Sequence, residues 1–454
     1  MSSSIFVVEK MKNKEVWLNA VKHTGCALVW FIAGVLLSAT VFGDGFAWHF
    51  VLCAAMPLLW LRTPTRVRAW LLSFGYYLGA AHDVPAGSTV FFGFEAQALG
   101  IVLWLAASLV LSLPWAVFWT RFDLNPDETP IGCKQGLQQK IIRLSLALLF
   151  VTIPPIGVFG WANPVMGFAW FPFFTGSGFL GIVLGIIITA VIAQQLANYR
   201  TGYVAVVYRA LTVLMFALLF MFNSCPSKDA FNKMAEDCLG ARGVYTELGR
   251  PYSGSAGMKY DAQQLKEFLH KYVKVTDKDK IIVLPETIAG TIDEAKHGAI
   301  TDFIRMSGND NLIVFIGGQK ILKDGSGRYE NGIYCYTASG GVVGRGNYNY
   351  IQRFPVPISM WLPFGGEGTC AADWFGSSIL RIGEQRAACL LCFEHVLAFP
   401  LLQSFARLKN RPTMILAVAN KWWSRNTGIP AIQDQSVLTW ARLFGVPVLT
   451  AENK

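Results

Sequence analysis

The run RAACLLCFEHVLAFP, residues 386–400, sets Cys392, Glu394 and His395 close together at the end of an otherwise apolar stretch. A thiol reacts as its thiolate, so nucleophilic chemistry at Cys392 requires a base to take the proton and donors to hold developing negative charge. Two other apolar runs also end on polar residues, IIVLP at Glu286 and MILAVAN at Asn420. In an apolar pocket the carboxyl of Glu286 would have its pKa raised toward neutrality, as a general base needs. The same PET segment also reads as the first turn of a helix. Cys389 reads as packing, because free cysteines are among the most buried residues. Glu394 sets Cys392 apart, since a carboxylate in such a run needs a hydrogen-bonding role to be tolerated. His395 reads as a surface or satisfied histidine with no chemical part.

The elements that must position these residues alternate in type. Helical spacing over 261–275 is followed by a short strand in 279–290, a second helix over 291–307 and a strand in 309–321. A hairpin-like alternation at 332–345 leads to an irregular Gly/Pro region at 355–370, then to the strand before Cys392, a helix over 400–410, a strand at 412–420 and a helix over 433–444. Strands alternating with helices predict an α/β layer architecture. The nearly all-apolar strands at 281–284 and 388–392 belong in the sheet interior. Ligands of such sheets collect beyond the carboxyl ends of the strands, where Glu286, Cys392 and Asn420 stand.

The chain has 454 residues, 53% hydrophobic and only 15% charged, where about a quarter charged is ordinary for a soluble protein. Mean hydropathy is +0.40. The apolar weight lies in residues 1–223, in seven runs at roughly 24–42, 46–61, 69–85, 91–119, 143–161, 177–196 and 202–222. A membrane-spanning helix needs about 20 mostly apolar residues. Lys and Arg crowd alternate connections: Lys10 to Lys22 before the first run, Arg62, Arg66 and Arg68 after the second, Arg121 to Arg143 before and into the fifth, and Arg200 after the sixth. Positive loops stay inside, which puts residues 224–454 on the periplasmic face of a bacterial inner membrane; one miscounted span would reverse this. No cleavable signal peptide is evident. Much of the net charge of +10 is juxtamembrane, and no Arg/Lys stripe with interleaved aromatics marks a nucleic-acid surface, so no direct nucleic-acid binding is expected. The nine cysteines show no metal-ligand spacing, so no metal site is expected. Outside the cytoplasm Cys225 and Cys238 could form a disulfide.

VLPET with Glu286, LLCFEH with Cys392 and Glu394, and AVANKWW with Asn420 and Trp422 together resemble three landmarks of the nitrilase, or carbon-nitrogen hydrolase, superfamily. Within it, a many-span N-terminal half followed by an external domain looks like the apolipoprotein N-acyltransferases, and GFAWFPFFTGSGFLGI at 167–182 has the flavour of a loop between their spans. The resemblance implies a multi-pass transmembrane helical bundle, residues 1–223, followed by an α/β nitrilase-like α-β-β-α sandwich, residues 224–454, shortened at its C-terminus. It implies thioester chemistry without a cofactor: Glu286 as base, Cys392 as nucleophile, and a lysine for the oxyanion. That lysine is missing. In YNYIQRFPVPISMW, residues 348–361, alignment on Pro355 puts Tyr350 in its place and alignment on Pro357 puts Gln352 there. Arg353 is the nearest cation, though its planar fork is no simple substitute for an ammonium. Lys421, where the family has Asp, is the second candidate, with Glu394, Asn420 and Trp422 as flanking residues. The departures, with the QRFPVP run at 352–357, resemble a plasmid conjugal-transfer branch. The implied partners are a membrane lipid or an acyl or amide substrate at the membrane surface, and envelope or conjugation-system proteins. A true apolipoprotein N-acyltransferase and an inactive envelope scaffold are the alternatives. GTCAADWFG, residues 368–376, reads either as a lid dipping toward lipid or as a packed loop.

Overall fold

A computed structural model describes residues 25–454 apart from 26, 43–46, 120–129, 172–173, 199–202, 204–205, 208–209, 215–226, 249–260, 277–279, 340–348, 383–384 and 425. In the N-terminal half the described helices are α1 (Ala27–Phe42), α2 (Ala55–Trp60), α3 (Arg66–Ala80), α4 (Val84–Phe92), α5 (Gln97–Val117), α6 (Pro130–Thr152) and α7 (Phe179–Asn198). Only α5 and the Phe179–Ala197 part of α7 are, among the described residues, long and apolar enough to cross a membrane by length and composition, and α1 is a shorter apolar helix. This differs from seven clear spans for identifiable reasons. The run at 46–61 breaks into a 3-10 stretch (Ala47–Ala54) and the short α2. Helix α3 opens on Arg66 and Arg68, capped by the Thr65 side chain, and α6 carries Lys134, Lys140 and Arg143. The run at 202–222 and Cys225 lie largely or wholly outside the described residues.

The C-terminal half adds α8 (Lys228–Leu239), α9 (Ala262–Tyr272), α10 (Glu294–Met306), α11 (Ala398–Phe405) and α12 (Ile429–Phe444). Among the described residues its strands are β1 (Ala241–Gly243), β2 (Tyr245–Thr246), β3 (Ile281–Val283), β4 (Ile313–Ile321), β5 (Tyr329–Thr337), β6 (Tyr350–Ile351), β7 (Ile379–Ile382), β8 (Gln385–Leu391), β9 (Met414–Asn420) and β10 (Val448–Asn453). They form two five-stranded sheets in the orders β1-β3-β4-β5-β6 and β2-β10-β9-β8-β7. The pairs β3/β4, β8/β9 and β9/β10 are parallel, each crossing over through a helix, as parallel pairing requires. β8 and β9 are fully flanked, which accounts for their unbroken apolar sequence.

Alternation along each strand divides the core into layers. Cys389, Leu391, Leu416 and Val418 meet Val283, Phe315, Ile333 and Tyr350 between the two sheets. On the outer side of the first sheet, Ile282, Val314 and Tyr336 pack on Leu265, Phe268, Ile300 and Phe303 of α9 and α10. On the outer side of the second, Ala388, Leu390, Ile415 and Ala417 join Leu401 of α11 and Val437 and Trp440 of α12. That cluster continues without a break into Phe50, Trp115, Phe168 and Trp170 of the N-terminal half.

Helix α12 carries contacts between the two halves. Trp170 Nε1 donates to Thr439 Oγ1 at 3.0 Å, Arg442 Nε donates to the Ala169 carbonyl at 3.2 Å, and the Arg442 guanidinium lies 4.9 Å from the Trp170 ring centroid. Asp83 Oδ2 accepts from the Gly428 N–H at 2.6 Å, at the entry to α12.

Candidate active site

β8 delivers Cys392. The strand ends at Leu391, and Cys392 opens a 3-10 turn (Cys392–Val396) with φ +41°. A non-glycine residue in that left-handed region is strained, so the surrounding structure must hold it there. Glu394 supplies the hold. Its Oε2 accepts from the Leu391 N–H at 2.8 Å and from the Tyr350 hydroxyl at 2.7 Å; its Oε1 accepts from the N–H groups of Arg353 and Phe354 at 2.8 and 3.0 Å. One enclosed carboxylate thus ties the Cys392 turn to the segment after β6. Burial raises the Glu394 pKa, against the lowering pull of Arg353 and these donors.

Glu286 arrives from the other sheet, beyond β3. A Cβ on Gly317 of β4 would fall 2.3 Å from the Pro285 oxygen and 2.6 Å from Glu286 Cα, so glycine there lets the 285–286 segment pass closely over the strand. Glu286 Oε1 accepts from Asn331 Nδ2 at 2.7 Å and Oε2 from the Asn420 N–H at 3.1 Å. The same carboxyl interacts electrostatically with the neighbouring Cys392 side chain. Burial raises the Glu286 pKa to about 7, with Asn331, Cys392 and Asn420 holding it back. Burial, then the neighbouring Glu286 charge, push the Cys392 thiol well above its ordinary value. The sulfur lies 3.7 Å from the Asn420 carbonyl oxygen. Gln433 Nε2, from α12, donates to the Cys392 carbonyl at 3.0 Å and stands 3.8 Å from the sulfur.

Glu286, Cys392 and Asn420 are therefore brought together, with Glu394 directly behind. The two cations are engaged elsewhere. Arg353 is buried; its Nε donates to Tyr350 Oη at 3.2 Å, Nη2 to the Pro400 carbonyl at 3.0 Å and Nη1 to Gln403 Oε1. Lys421 is buried on Asp434 and Glu452. Trp422 stacks on Phe91 of α4 at 6.0 Å between centroids. Around the Glu286 and Cys392 pair stand amides: Asn331, Gln352, Asn420 and Gln433. Gln352 is fully buried, accepts from Asn331 Nδ2 at 2.9 Å and donates to the Leu391 carbonyl at 3.3 Å. Cys370 and Cys389 are buried and free, and Cys238 is exposed and free. No group of three His, Cys, Asp or Glu suited to a metal occurs among the described residues. In the 368–376 loop Trp374 packs on Phe354 and Trp361 while Phe375 is exposed.

Sequence reasoning missed Asn331 and Gln433. Asn331 had a signal: in YENGIYCYT it shares the face of Ile333 and Cys335, an inward polar residue on an apolar stripe. Gln433 had none, since polar residues at helix starts are ordinary.

Chemically, a carboxyl that titrates near neutrality against a thiol, both walled by neutral amides, is equipped for base-assisted attack by sulfur on a carbonyl carbon. No family model matches the chain. Among solved structures it is similar to amidases from Nesterenkonia: a mutant of the strain AN1 enzyme, described as belonging to the nitrilase superfamily (TM-score 0.30, 10% identity, 47% of this chain and 74% of that one), and an amidase crystal structure from the same genus (TM-score 0.29, 12% identity, 47% and 73%). Among characterised sequences it is 29% identical over 433 residues to a probable conjugal transfer protein TraB of Sinorhizobium fredii, covering 93% of this chain and 97% of that protein. It is 28% identical over 428 residues to conjugal transfer protein TraB of Agrobacterium fabrum, covering 92% of each. The chain is homologous to these conjugal transfer proteins along almost its whole length.

Proposed function

We propose that the protein is a membrane-anchored, carbon-nitrogen hydrolase-like or acyltransferase-like protein of a conjugal transfer system, with Cys392 as nucleophile and Glu286 as general base. The observation that carries this reading is the convergence of Glu286 and Cys392 on Asn420, whose N–H donates to Glu286 at 3.1 Å while its carbonyl stands 3.7 Å from the Cys392 sulfur; the two residues follow strands of different sheets. In the proposed reaction the Glu286 carboxylate takes the thiol proton as sulfur bonds to the carbonyl carbon of an amide or ester. Glu286 then returns the proton to the departing amine or alcohol, leaving a thioester that water or an amine resolves. The oxyanion would meet neutral N–H dipoles in place of an ammonium, which are weaker stabilisers but cost no reorganisation when already fixed.

The membrane reading is supported by α5, which leaves Val102, Leu105, Leu109, Leu113 and Val117 between 43% and 63% exposed. An apolar face of that extent suits lipid better than water. With the charge alternation of the N-terminal half, it supports a multi-pass N-terminal domain to about residue 223 and an α/β domain beyond it on the periplasmic side. The homology to TraB supports envelope or conjugation-system partners.

The engagement of Arg353 and Lys421 away from the thiol favours a second reading, a scaffold that keeps the fold without catalysis. Labelling with a small cysteine-directed acylating probe separates the two. The catalytic reading expects Cys392 to label faster than the denatured chain, with the signal lost in Cys392→Ala and strongly reduced in Glu286→Gln. A native thiol no more reactive than the denatured one would leave the scaffold.

A further inference from the structure

The two amides flanking Cys392 are each followed in the chain by a member of one half-buried charge cluster: Asn420 by Lys421, and Gln433 by Asp434. Lys421 Nζ is bound to Asp434 and, at 2.8 Å, to Glu452 Oε1. Lys228 Nζ is bound to the same Glu452 oxygen and, at 3.2 Å, to Asp434 Oδ2. Two ammoniums and two carboxylates alternate round a closed ring whose members come from the start of α8, the residue after β9, α12 and the end of β10. Lys421 and Glu452 are fully enclosed. Burial alone would raise the Glu452 pKa; the Lys421 and Lys228 charges outweigh it and hold the carboxyl down at about 2.

Such a ring is a poor way to gain stability, because apolar residues of similar volume serve as well or better, while loss of one partner is costly. Nor is it needed for register, since β9 and β10 already pair from Ile415 with Val448 to Asn420 with Asn453. What it does fix is the spacing of residues 421 and 434, and hence of Asn420 and Gln433. We propose that the Lys421–Asp434–Lys228–Glu452 ring is a positioning clasp for Cys392. It holds the Asn420 carbonyl and the Gln433 amide on either side of the thiol and, through Lys228, ties that geometry to the segment arriving from the N-terminal half. The inference rests on Cys392 being the reacting thiol.

The test is alkylation of full-length protein in detergent by iodoacetamide, read at Cys392 by peptide mass spectrometry across pH, with buried Cys389 as an internal reporter of general opening. The groups facing Cys392 are Glu286 from beyond β3, Asn420 of β9 and Gln433 of α12; Glu394 and His395, on its own turn, are engaged with Leu391, Tyr350 and the 353–354 backbone and with the Leu390 carbonyl. His395 stays neutral, its pKa pushed down to about 3 by burial and Lys421. In Lys228→Met and Lys421→Met, loss of the Gln433 contact should move the Cys392 profile to higher pH and slow its alkylation at pH 8 about five-fold, the effect of somewhat under one pKa unit. Cys389 labelling should not change, and Lys228→Arg should restore the wild-type profile. Lys228→Met leaves one ammonium, Lys421, between two carboxylates, whose mutual repulsion then opens the ring at Asp434 while enclosed Lys421 keeps Glu452, so it reports even where Lys421→Met fails to fold. An unchanged Cys392 profile in Lys228→Met overturns the clasp, as does a parallel rise at Cys389 and Cys392, which would make the ring a plain fold element. A profile unaltered in Glu286→Gln would instead fail the base assignment, whatever the lysine variants do.

Discussion

Replacing Glu286 by Gln should flatten the pH dependence of the α/β domain's stability. The folded carboxyl keeps its proton up to about pH 7 because burial outweighs its hydrogen bonds, whereas its ordinary pKa is 4.5. A group whose folded pKa is raised stabilises the fold fully below the unfolded value, and that contribution is lost as pH rises through the folded value. At about 1.4 kcal/mol per pKa unit, the wild type gives up about 3 kcal/mol at this residue as pH rises from 4.5 to 8. Glu394, also raised by burial, acts in the same sense in both proteins and cancels from the comparison. Glu452, held at about 2, contributes stability that is lost only as pH falls toward that value, outside the window. The variant carries a cost of its own: Asn331 and the Asn420 N–H both donate to Glu286, and an amide offers them one oxygen, leaving a donor unmatched at about 1–3 kcal/mol. That cost does not vary with pH, so the slope carries the test. Urea unfolding of the full-length protein in detergent, followed by tryptophan fluorescence at pH 5 and pH 8, should show a stability loss larger in wild type by about 2.5 kcal/mol. Equal losses in the two proteins would refute a proton held at Glu286, and with it the base assignment.

Glu394→Ala strands three backbone N–H groups and the Tyr350 hydroxyl, and should cost at least about 4 kcal/mol, most of an ordinary domain's margin. Wild-type protease resistance of the C-terminal domain in that variant would overturn the structural role given to Glu394. Gln352→Lys introduces an ammonium beside Asn331 and Glu286, and a nearby positive charge lowers the pKa of carboxyl and thiol alike. Alkylation of Cys392 at pH 7 should rise about ten-fold, the effect of one pKa unit, and an unchanged rate would mean that residue 352 does not face the pair.

The sheet strands were legible because full burial writes itself as unbroken apolar sequence: β3, β8 and β9 are flanked on both edges and read as such. Their polar ends followed for the same reason, which is how Glu286, Cys392 and Asn420 could be picked out. The N-terminal half was less legible, because hydropathy reports what a segment avoids and not whether it forms one straight helix. The 46–61 run satisfies a hydropathy window and yet folds as a 3-10 stretch followed by a short helix.

The cation was misleading for a different reason. Successive residues of an extended segment point to opposite faces, so the residue that meets the site is set by register and not by charge. β6 pairs Ile351 with Gly332, and the ladder runs one step further, with the Gln352 N–H donating to the Asn331 carbonyl at 2.8 Å. That step aims Gln352 at the Asn331 side chain and leaves Arg353 to Pro400 and Gln403. Lys421 misses by the same logic: Asn420 turns its backbone to Glu286 and the thiol, and the next side chain points away into the charge ring. Both positive charges thus fall one residue from where an oxyanion would need them. Buried next to Glu286 and with neither Arg353 nor Lys421 turned toward it, the thiol stays protonated at neutral pH, and its reactivity depends on Glu286 and on how closely the surrounding amides are held.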